Sequence, residues 1–171
     1  CLKTMAYRDG ELRSLLSKAL STPVDLVEIA NRALAAGDEL HSRTQSATAA
    51  LRDVLLERLT AAAVDQTSLG ALAQMMNAAP GFFLTLWMAA CRLTLSACEG
   101  IAHCSLVSRI GGNGEAFGLS TGARPDEWIT VPAAPPVGSY FPHHASDLMP
   151  SGVVGDSTVI DAMGFGGQLV D

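Results

Sequence analysis

The stretch from Arg109 to Gly118 constrains the fold most, because four glycines and an Asn-Gly pair within ten residues favour a sharp chain reversal. Asn-Gly is the strongest short indication of a β-hairpin, since both central residues of a type I′ turn need a positive φ. Leu106-Val107 before the pair and Phe117 to Leu119 after it are expected to form the flanking strands. The stretch therefore predicts a hairpin near residues 105–120.

The same stretch also has the chemical groups of an anion site. Glycines let backbone amides approach an anion, and the side chains of Arg109 and Asn113 can donate hydrogen bonds to a carboxylate or phosphate. The spacing matches neither the P-loop nor the dinucleotide-binding fingerprint. A tight turn and a ligand site therefore both stay open, since hairpin geometry excludes neither.

Helical periodicity dominates the first hundred residues. It predicts helices at residues 11–20, 23–36, 38–64, 68–77 and 81–100. Thr22 and Thr67 are the expected caps of the second and fourth helices. The helix at 81–100 is the most apolar, so we expect it to be buried on nearly all sides at the centre of a helical bundle. The fold class is mainly α with a small β element (α+β).

Length and composition favour one compact domain over residues 1–171, which we expect to be a fragment of a longer protein. Residues 1–104 form its helical part, and residues 105–171 hold the hairpin, loops and a short helix. A net charge of −6 with only eleven Lys and Arg leaves no basic surface for nucleic acid. We expect no nucleic-acid partner.

Cysteine usage and hydropathy suggest the compartment. The four cysteines form no CxxC pair, and three lie in or beside the most apolar helix, so we expect reduced core thiols and a cytoplasmic protein. No signal peptide is visible. The longest apolar run is about half the roughly twenty residues that a membrane span needs, so no membrane partner is expected.

The start of the third predicted helix, residues 37–44, is rich in functional groups. In a helix, Asp38, His41 and Gln45 would share one face. One interpretation makes Asp38 an N-cap and pairs Glu39 with Arg43 on the surface. The other is an anion or metal site at the helix N-terminus, although two candidate ligands are too few to predict a metal.

The segment from Gly155 to Ser157 carries a second pair of alternatives. Asp156 or Ser157 is expected to cap a short helix that Gly164 closes. The glycines on both sides equally suit a backbone that passes close to a ligand. Neither interpretation is favoured.

Several segments, taken in order, resemble the YlbE/AllG-like family, and the resemblance runs from about residue 30 to the end. They are residues 37–44 (GDELHSRT), 82–84 with 88–90, 113–118 (NGEAFG), Trp128 with 132–133, 155–157 (GDS) and 164–167 (GFGG). The resemblance implies a portion of a cytoplasmic bacterial protein of about 450 residues. Some members act with companion proteins as an oxamate carbamoyltransferase in purine (allantoin) degradation, converting oxalurate and phosphate to oxamate and carbamoyl phosphate. It implies no catalytic roles.

Residue chemistry suggests which positions suit that reaction. Arginine forks and preorganised amides can bind phosphate, a ureide and the developing oxyanion. We expect His41, as a proton donor, and Asp156 in catalytic positions. The substrate- and anion-binding candidates are Arg43, Arg109, Gly112, Asn113, Gly114, Glu115, Gly155 and Ser157. The sequence itself requires no metal and no other cofactor, so the identity of any cofactor stays open.

The expected partners are a small anionic substrate, such as oxamate, phosphate or carbamoyl phosphate, and companion protein subunits in an oligomer. The alternative is a non-catalytic scaffold that binds partner proteins, with its glycines serving turns only. If the glycine segments meet in one concave pocket, an enzyme is favoured; if they disperse to separate turns, a scaffold is favoured.

Overall fold

The computed structural model describes residues 10–135, 151–155 and 157–166. These residues form an α+β fold of six helices and one four-stranded antiparallel sheet, which confirms the predicted fold class. The helices are α1 (Glu11–Ala19), α2 (Leu26–Ala35), α3 (Gln45–Ala61), α4 (Gln66–Asn77), α5 (Phe82–Ser96) and α6 (Thr158–Ala162). The strands are β1 (Val107–Asn113), β2 (Ala116–Thr121), β3 (Arg124–Pro132) and β4 (Val154–Gly155).

The chain divides into two compact units, Cys1–Trp87 and Met88–Asp171. The prediction of a single domain stays a prediction. Within the described residues, no single helix has both the length and the apolar character needed to cross a membrane. Helices α4 and α5, bent by 76° at the break between them, reach that length and composition only as a pair.

Helix α3 is the centre of the first unit, because it contacts α1, α2 and α4. Its buried side chains recur every three or four residues, the spacing of one helical face. They are Ala47, Thr48, Leu51, Leu55 and Leu59. This stripe, rather than intrinsic helix propensity, accounts for most of the stability of such a helix.

Aspartates, and not the predicted threonines, cap α2 and α4. The Asp25 carboxylate accepts a hydrogen bond from the Glu28 amide at 2.9 Å, and Asp65 accepts one from the Ser68 amide at 3.0 Å. Each bond satisfies a backbone amide that lacks a partner in the first helical turn. The capping predictions at Thr22 and Thr67 were therefore wrong by two or three residues.

The third helix begins at Gln45, seven residues after the predicted start at Asp38. Residues 38–44 are not helical, because Leu40 has a φ of +68° and a fully buried side chain. A left-handed residue cannot belong to a right-handed helix. The predicted shared face of Asp38, His41 and Gln45 is therefore wrong.

Helix α5 ends at Ser96, and it is buried along one stripe instead of on nearly all sides. Phe83, Trp87 and Cys91 are buried, one helical turn apart. Leu93, by contrast, is 74% exposed and Leu86 is 37% exposed. Apolar composition alone misled the prediction, since many surface residues of folded proteins are apolar.

The second unit contains the predicted hairpin, formed by β1 and β2, in a sheet of strand order β3-β2-β1-β4. The turn type differs from the prediction. Asn113 opposes Ala116 at the strand ends, so Gly114 and Glu115 are the central residues. Only Gly114 of this turn has a positive φ, +92°, as the first central residue of a type II′ turn requires.

Candidate ligand-binding site on the sheet

Glycines form the floor of an open pocket on one face of the sheet. Gly111 of β1 pairs with Gly118 of β2, which in turn pairs with Thr130 of β3. A Cβ atom at Gly118 would lie 3.0 Å from the Trp128 ring and 3.0 Å from the Thr130 methyl group. The missing side chain at position 118 therefore allows Trp128 and Thr130 to lie over strand β2.

The pocket has a volume of about 630 Å³. Its lining residues come from all four strands of the sheet. They are Ile110, Gly111, Gly112, Asn113, Ala116, Gly118, Trp128, Thr130, Val154 and Gly155. Glycine segments that are more than forty residues apart in sequence thus meet at one concave surface.

Close backbone contact holds β4 at the edge of this pocket. A Cβ atom at Gly112 would lie 2.4 Å from the carbonyl oxygen of Val153, so only glycine fits there. The same carbonyl accepts a hydrogen bond from the Gly114 amide at 3.0 Å. Gly112 and Gly114, both predicted as binding residues, therefore also have a structural role.

Asn113 organises the hairpin turn. Its side-chain oxygen accepts hydrogen bonds from the amides of Glu115, at 3.0 Å, and Ala116, at 2.7 Å. The side-chain Nδ2 group is a donor of two hydrogens and is the part of Asn113 that suits a ligand acceptor. Asn113 lines the pocket, whereas Glu115 contributes to the turn next to it.

Arg109 is held by two carboxylates. Its Nε and one terminal nitrogen contact the Glu99 carboxylate at 3.0 and 3.2 Å, and its other terminal nitrogen lies 3.4 Å from Asp126. Arg92 contacts the same Glu99 at 2.9 Å. These arginines, Arg109 above all, hold the pKa of the Glu99 carboxyl below its usual range, and Glu99 raises the pKa of Arg109.

The charges of this cluster therefore largely cancel, and Arg109 is not among the residues that line the pocket. The lining itself carries no charged side chain. Its polar groups are the Asn113 amide, the Thr130 hydroxyl and backbone atoms of the glycines. Such a surface suits a small planar group that is neutral and forms hydrogen bonds, with Trp128 packing against it.

His41 and Arg43 lie in the first unit, in the loop before α3. The Glu39 carboxylate accepts hydrogen bonds from the backbone amides of both residues, at 3.3 Å from His41. The Asp38 carboxylate is buried and accepts a bond from the Ala47 amide at 2.8 Å. Asp38 thus caps α3 through the Ala47 amide, nine residues further along the chain. Its carboxylate has the predicted capping function, but Asp38 is not the residue directly before the helix.

The segment after β4 is described only in part, because Asp156 lies outside the described residues. Ser157 precedes α6, and the Thr158 hydroxyl donates to the Ile110 carbonyl at 3.3 Å. Gly164, with a φ of +83°, follows the end of α6 as predicted. This contact places the start of α6 against β1, next to Gly111 on the pocket floor.

Sequence reasoning missed Trp128, Thr130 and Gly118 as pocket residues. Ile129, Thr130 and Val131 are β-branched, which favours a strand, but strand periodicity does not reveal which neighbour that strand pairs with. Within the described parts of the chain, no group of three or more His, Cys, Asp or Glu side chains could hold a metal ion.

The chain is similar to known proteins along most of its length. A family model described as "Oxamate carbamoyltransferase subunit AllG" matches residues 1–157. Two Escherichia coli (strain K12) proteins are similar. The uncharacterized protein YahG is 29% identical over 145 residues, 84% of this chain and 30% of that protein. Oxamate carbamoyltransferase subunit AllG is 27% identical over 162 residues, 93% of this chain and 38% of that protein.

The chain therefore spans between 30% and 38% of the length of these two relatives. A crystal structure of a conserved protein of unknown function from Enterococcus faecalis V583 is similar, with a TM-score of 0.83 and 23% identity. The match covers 96% of this chain and 40% of that one. At this identity the similarity establishes the fold alone.

Proposed function

We propose, because this chain belongs to the family of oxamate carbamoyltransferase subunit AllG, that it is part of a subunit acting in carbamoyl transfer. The family match over residues 1–157 is the observation that carries the proposal. In the proposed reaction, a phosphate oxygen forms a bond to the carbamoyl carbon of oxalurate. The bond from that carbon to the oxamate nitrogen breaks, and this nitrogen takes up a proton.

The glycine-floored pocket is the proposed site for the planar amide portion of oxalurate or oxamate. A floor without side chains lets a flat group approach the backbone, and the Trp128 ring supplies an apolar wall. The Asn113 Nδ2 group and the Thr130 hydroxyl are the proposed hydrogen-bond partners. His41, as a proton donor, and Asp156 remain the proposed catalytic residues.

Because the lining of the pocket carries no charged side chain, we do not expect the pocket to bind phosphate by itself. Phosphate sites in proteins use arginine, lysine or clustered backbone amides. Arg109 is already paired with Glu99 and Asp126. We therefore propose that companion subunits, or the remainder of a longer protein, contribute cationic groups to the complete site.

A binding experiment tests the proposal. The purified protein is titrated calorimetrically with oxamate, oxalurate, phosphate and carbamoyl phosphate, with and without its companion subunits. Gly111→Ala adds one methyl group to the pocket floor, where the new Cβ would lie 3.4 Å from the Gly155 oxygen. We expect it to weaken oxamate and oxalurate binding by about tenfold, the usual effect of one misplaced methyl group.

The matched control is Gly70→Ala, since nothing lies within 4 Å of a Cβ at that helical position. A second variant, Asn113→Asp, keeps the oxygen that accepts the two turn amides but removes the Nδ2 donor. We expect Gly70→Ala to bind normally and Asn113→Asp to bind weakly. Absence of binding by the folded protein and its complex, or equal weakening by Gly70→Ala, would contradict the proposal.

A scaffold function is the second candidate, and the other face of the sheet favours it. On that face Ile129 and Val131 are 63% and 57% exposed, beside Leu119 and Phe117 on the neighbouring strand. An exposed apolar surface of this kind is typical of protein interfaces. If Ile129→Ser with Val131→Ser abolishes association with companion subunits while no ligand binds, the scaffold function is preferred.

A further inference from the structure

Two thiols meet at the tip of the hairpin that joins β2 and β3. A Cβ atom built on Gly122, in that turn, would lie 2.8 Å from the sulfur of Cys98 and 2.8 Å from the sulfur of Cys104. The two sulfurs are therefore no more than twice that distance apart. Both cysteines are free thiols, and the Cys98 thiol also donates to the Leu95 carbonyl at 3.0 Å.

Three backbone hydrogen bonds hold this arrangement. The Gly100 amide donates to the Gly122 carbonyl at 2.8 Å, and the Gly122 amide donates to the Leu106 carbonyl at 2.8 Å. The Ala123 amide donates to the carbonyl of Cys104 itself at 3.0 Å. The hairpin tip thus braces the loop between α5 and β1, so the two thiols are positioned by the fold.

Gly122 is necessary for the close approach. Its Cβ would also lie 2.5 Å from the backbone oxygen of Cys98, a contact that no side chain permits. The residue is buried, whereas Cys98 and Cys104 are both only partly buried. Cys91 differs, because it is 2% exposed and burial raises the pKa of its thiol to about 11.

From this geometry we infer that Cys98 and Cys104 are a redox-active pair that reacts with low-molecular-weight disulfides to form an intramolecular disulfide. One thiol loses its proton and attacks a sulfur of the small disulfide, which releases one molecule of reduced thiol. The second cysteine then attacks the mixed disulfide and releases the other. The protein loses two hydrogens, and the small disulfide gains them.

The bond would close a short loop that contains Glu99, the partner of Arg92 and Arg109. Oxidation would therefore restrain the segment that joins helix α5 to strand β1. This inference does not depend on the proposed carbamoyl transfer, since it uses none of the pocket residues.

Oxidation in glutathione buffers tests the inference on the complete protein. The protein is equilibrated with mixtures of oxidised and reduced glutathione, quenched with acid, alkylated and digested with trypsin. Cys98 and Cys104 then lie in one peptide, residues 93–109, because no Lys or Arg separates them. A second digestion after Glu99 separates the two cysteines unless a disulfide links them.

We expect a linked Cys98–Cys104 peptide without a glutathione adduct, reversible by dithiothreitol. The equilibrium constant for forming this disulfide with oxidised glutathione should be about tenfold or more larger in the folded protein than in denaturant, because the fold brings the thiols together. Cys91→Ser is the control and should oxidise normally. In the Cys98→Ser and Cys104→Ser proteins, the remaining cysteine of this peptide should carry a single glutathione adduct.

Three results would overturn the inference. The first is separate glutathione adducts on Cys98 and Cys104 in the folded wild-type protein. The second is an equilibrium constant no larger in the folded protein than in denaturant. The third is that neither thiol reacts in a buffer in which oxidised and reduced glutathione have reached equilibrium.

Discussion

Replacing Gly112 by Ala should separate β4 from β1, whereas the same change at Gly111 should not. The new methyl at position 112 would lie 2.4 Å from the Val153 carbonyl oxygen. Carbon–oxygen contacts in proteins begin at about 3.3 Å, so the segment has to move by about 1 Å. That movement weakens the 3.0 Å bond from the Gly114 amide to the same oxygen.

The magnitude follows from two effects. Overpacking a close contact costs about 1–3 kcal/mol, and weakening one backbone hydrogen bond costs about 1 kcal/mol. We therefore expect Gly112→Ala to lower the free energy of unfolding by about 2–4 kcal/mol. In Gly111→Ala the new methyl group would contact only the Gly155 oxygen, at 3.4 Å. The free energy of unfolding should therefore change by no more than about 0.5 kcal/mol.

Urea denaturation measures the difference. The chain has two tryptophans, and Trp128 lies beside the pocket in the second unit. In a Trp87→Phe background, its fluorescence reports on that unit alone. A lower midpoint for Gly112→Ala than for Gly111→Ala, at equal slope, is the expected result. Equal midpoints would refute the argument from the Val153 contact.

Three further predictions concern other contacts in the structure. Glu99→Gln should be less stable than the wild type at pH 7, and the gap should close as the pH falls through the depressed pKa of Glu99, because Arg109 stabilises only the ionised carboxylate; urea midpoints across pH measure this. Asp38→Ala should cost about 2 kcal/mol, because it removes a buried charged cap, against about 1 kcal/mol for the exposed cap in Asp25→Ala; a similar loss from both would contradict the assigned burial. Disulfide formation at Cys98 should accelerate from about pH 7 to about pH 9, because burial and the partner thiol raise its pKa, and a rate that is flat over this range would be inconsistent with that shift.

Local sequence information located most helices and the hairpin. Apolar spacing identified α1 and the core face of α3, because side chains three or four residues apart share one face of a helix. The Asn-Gly pair marked the turn between β1 and β2, although the turn is centred one residue later than predicted. These features depend on interactions between residues that are close in sequence.

Helix α3 shows where such information ends. Periodicity continued back to Asp38, but the buried Leu40 adopts a left-handed conformation, and Asp38 reaches its amide partner at Ala47. Nothing in the local pattern distinguishes this loop from a first helical turn. The start of the helix was decided by burial and by a hydrogen bond that spans nine residues.

The candidate site was only partly predictable. Gly112, Asn113 and Gly155 were predicted from residue type, and all three line the pocket. The approach of Trp128 to Gly118 depends on the register of β3 against β2, which a period of two cannot specify.

The sequence by itself determined the chemical inventory, the α+β class and the position of the glycine-rich turn, because these follow from composition and short-range spacing. Only the tertiary structure decided which groups meet. It paired Arg109 with Glu99 and placed Cys104 beside Cys98, because pairing across strands and loops brings together residues that no local pattern connects.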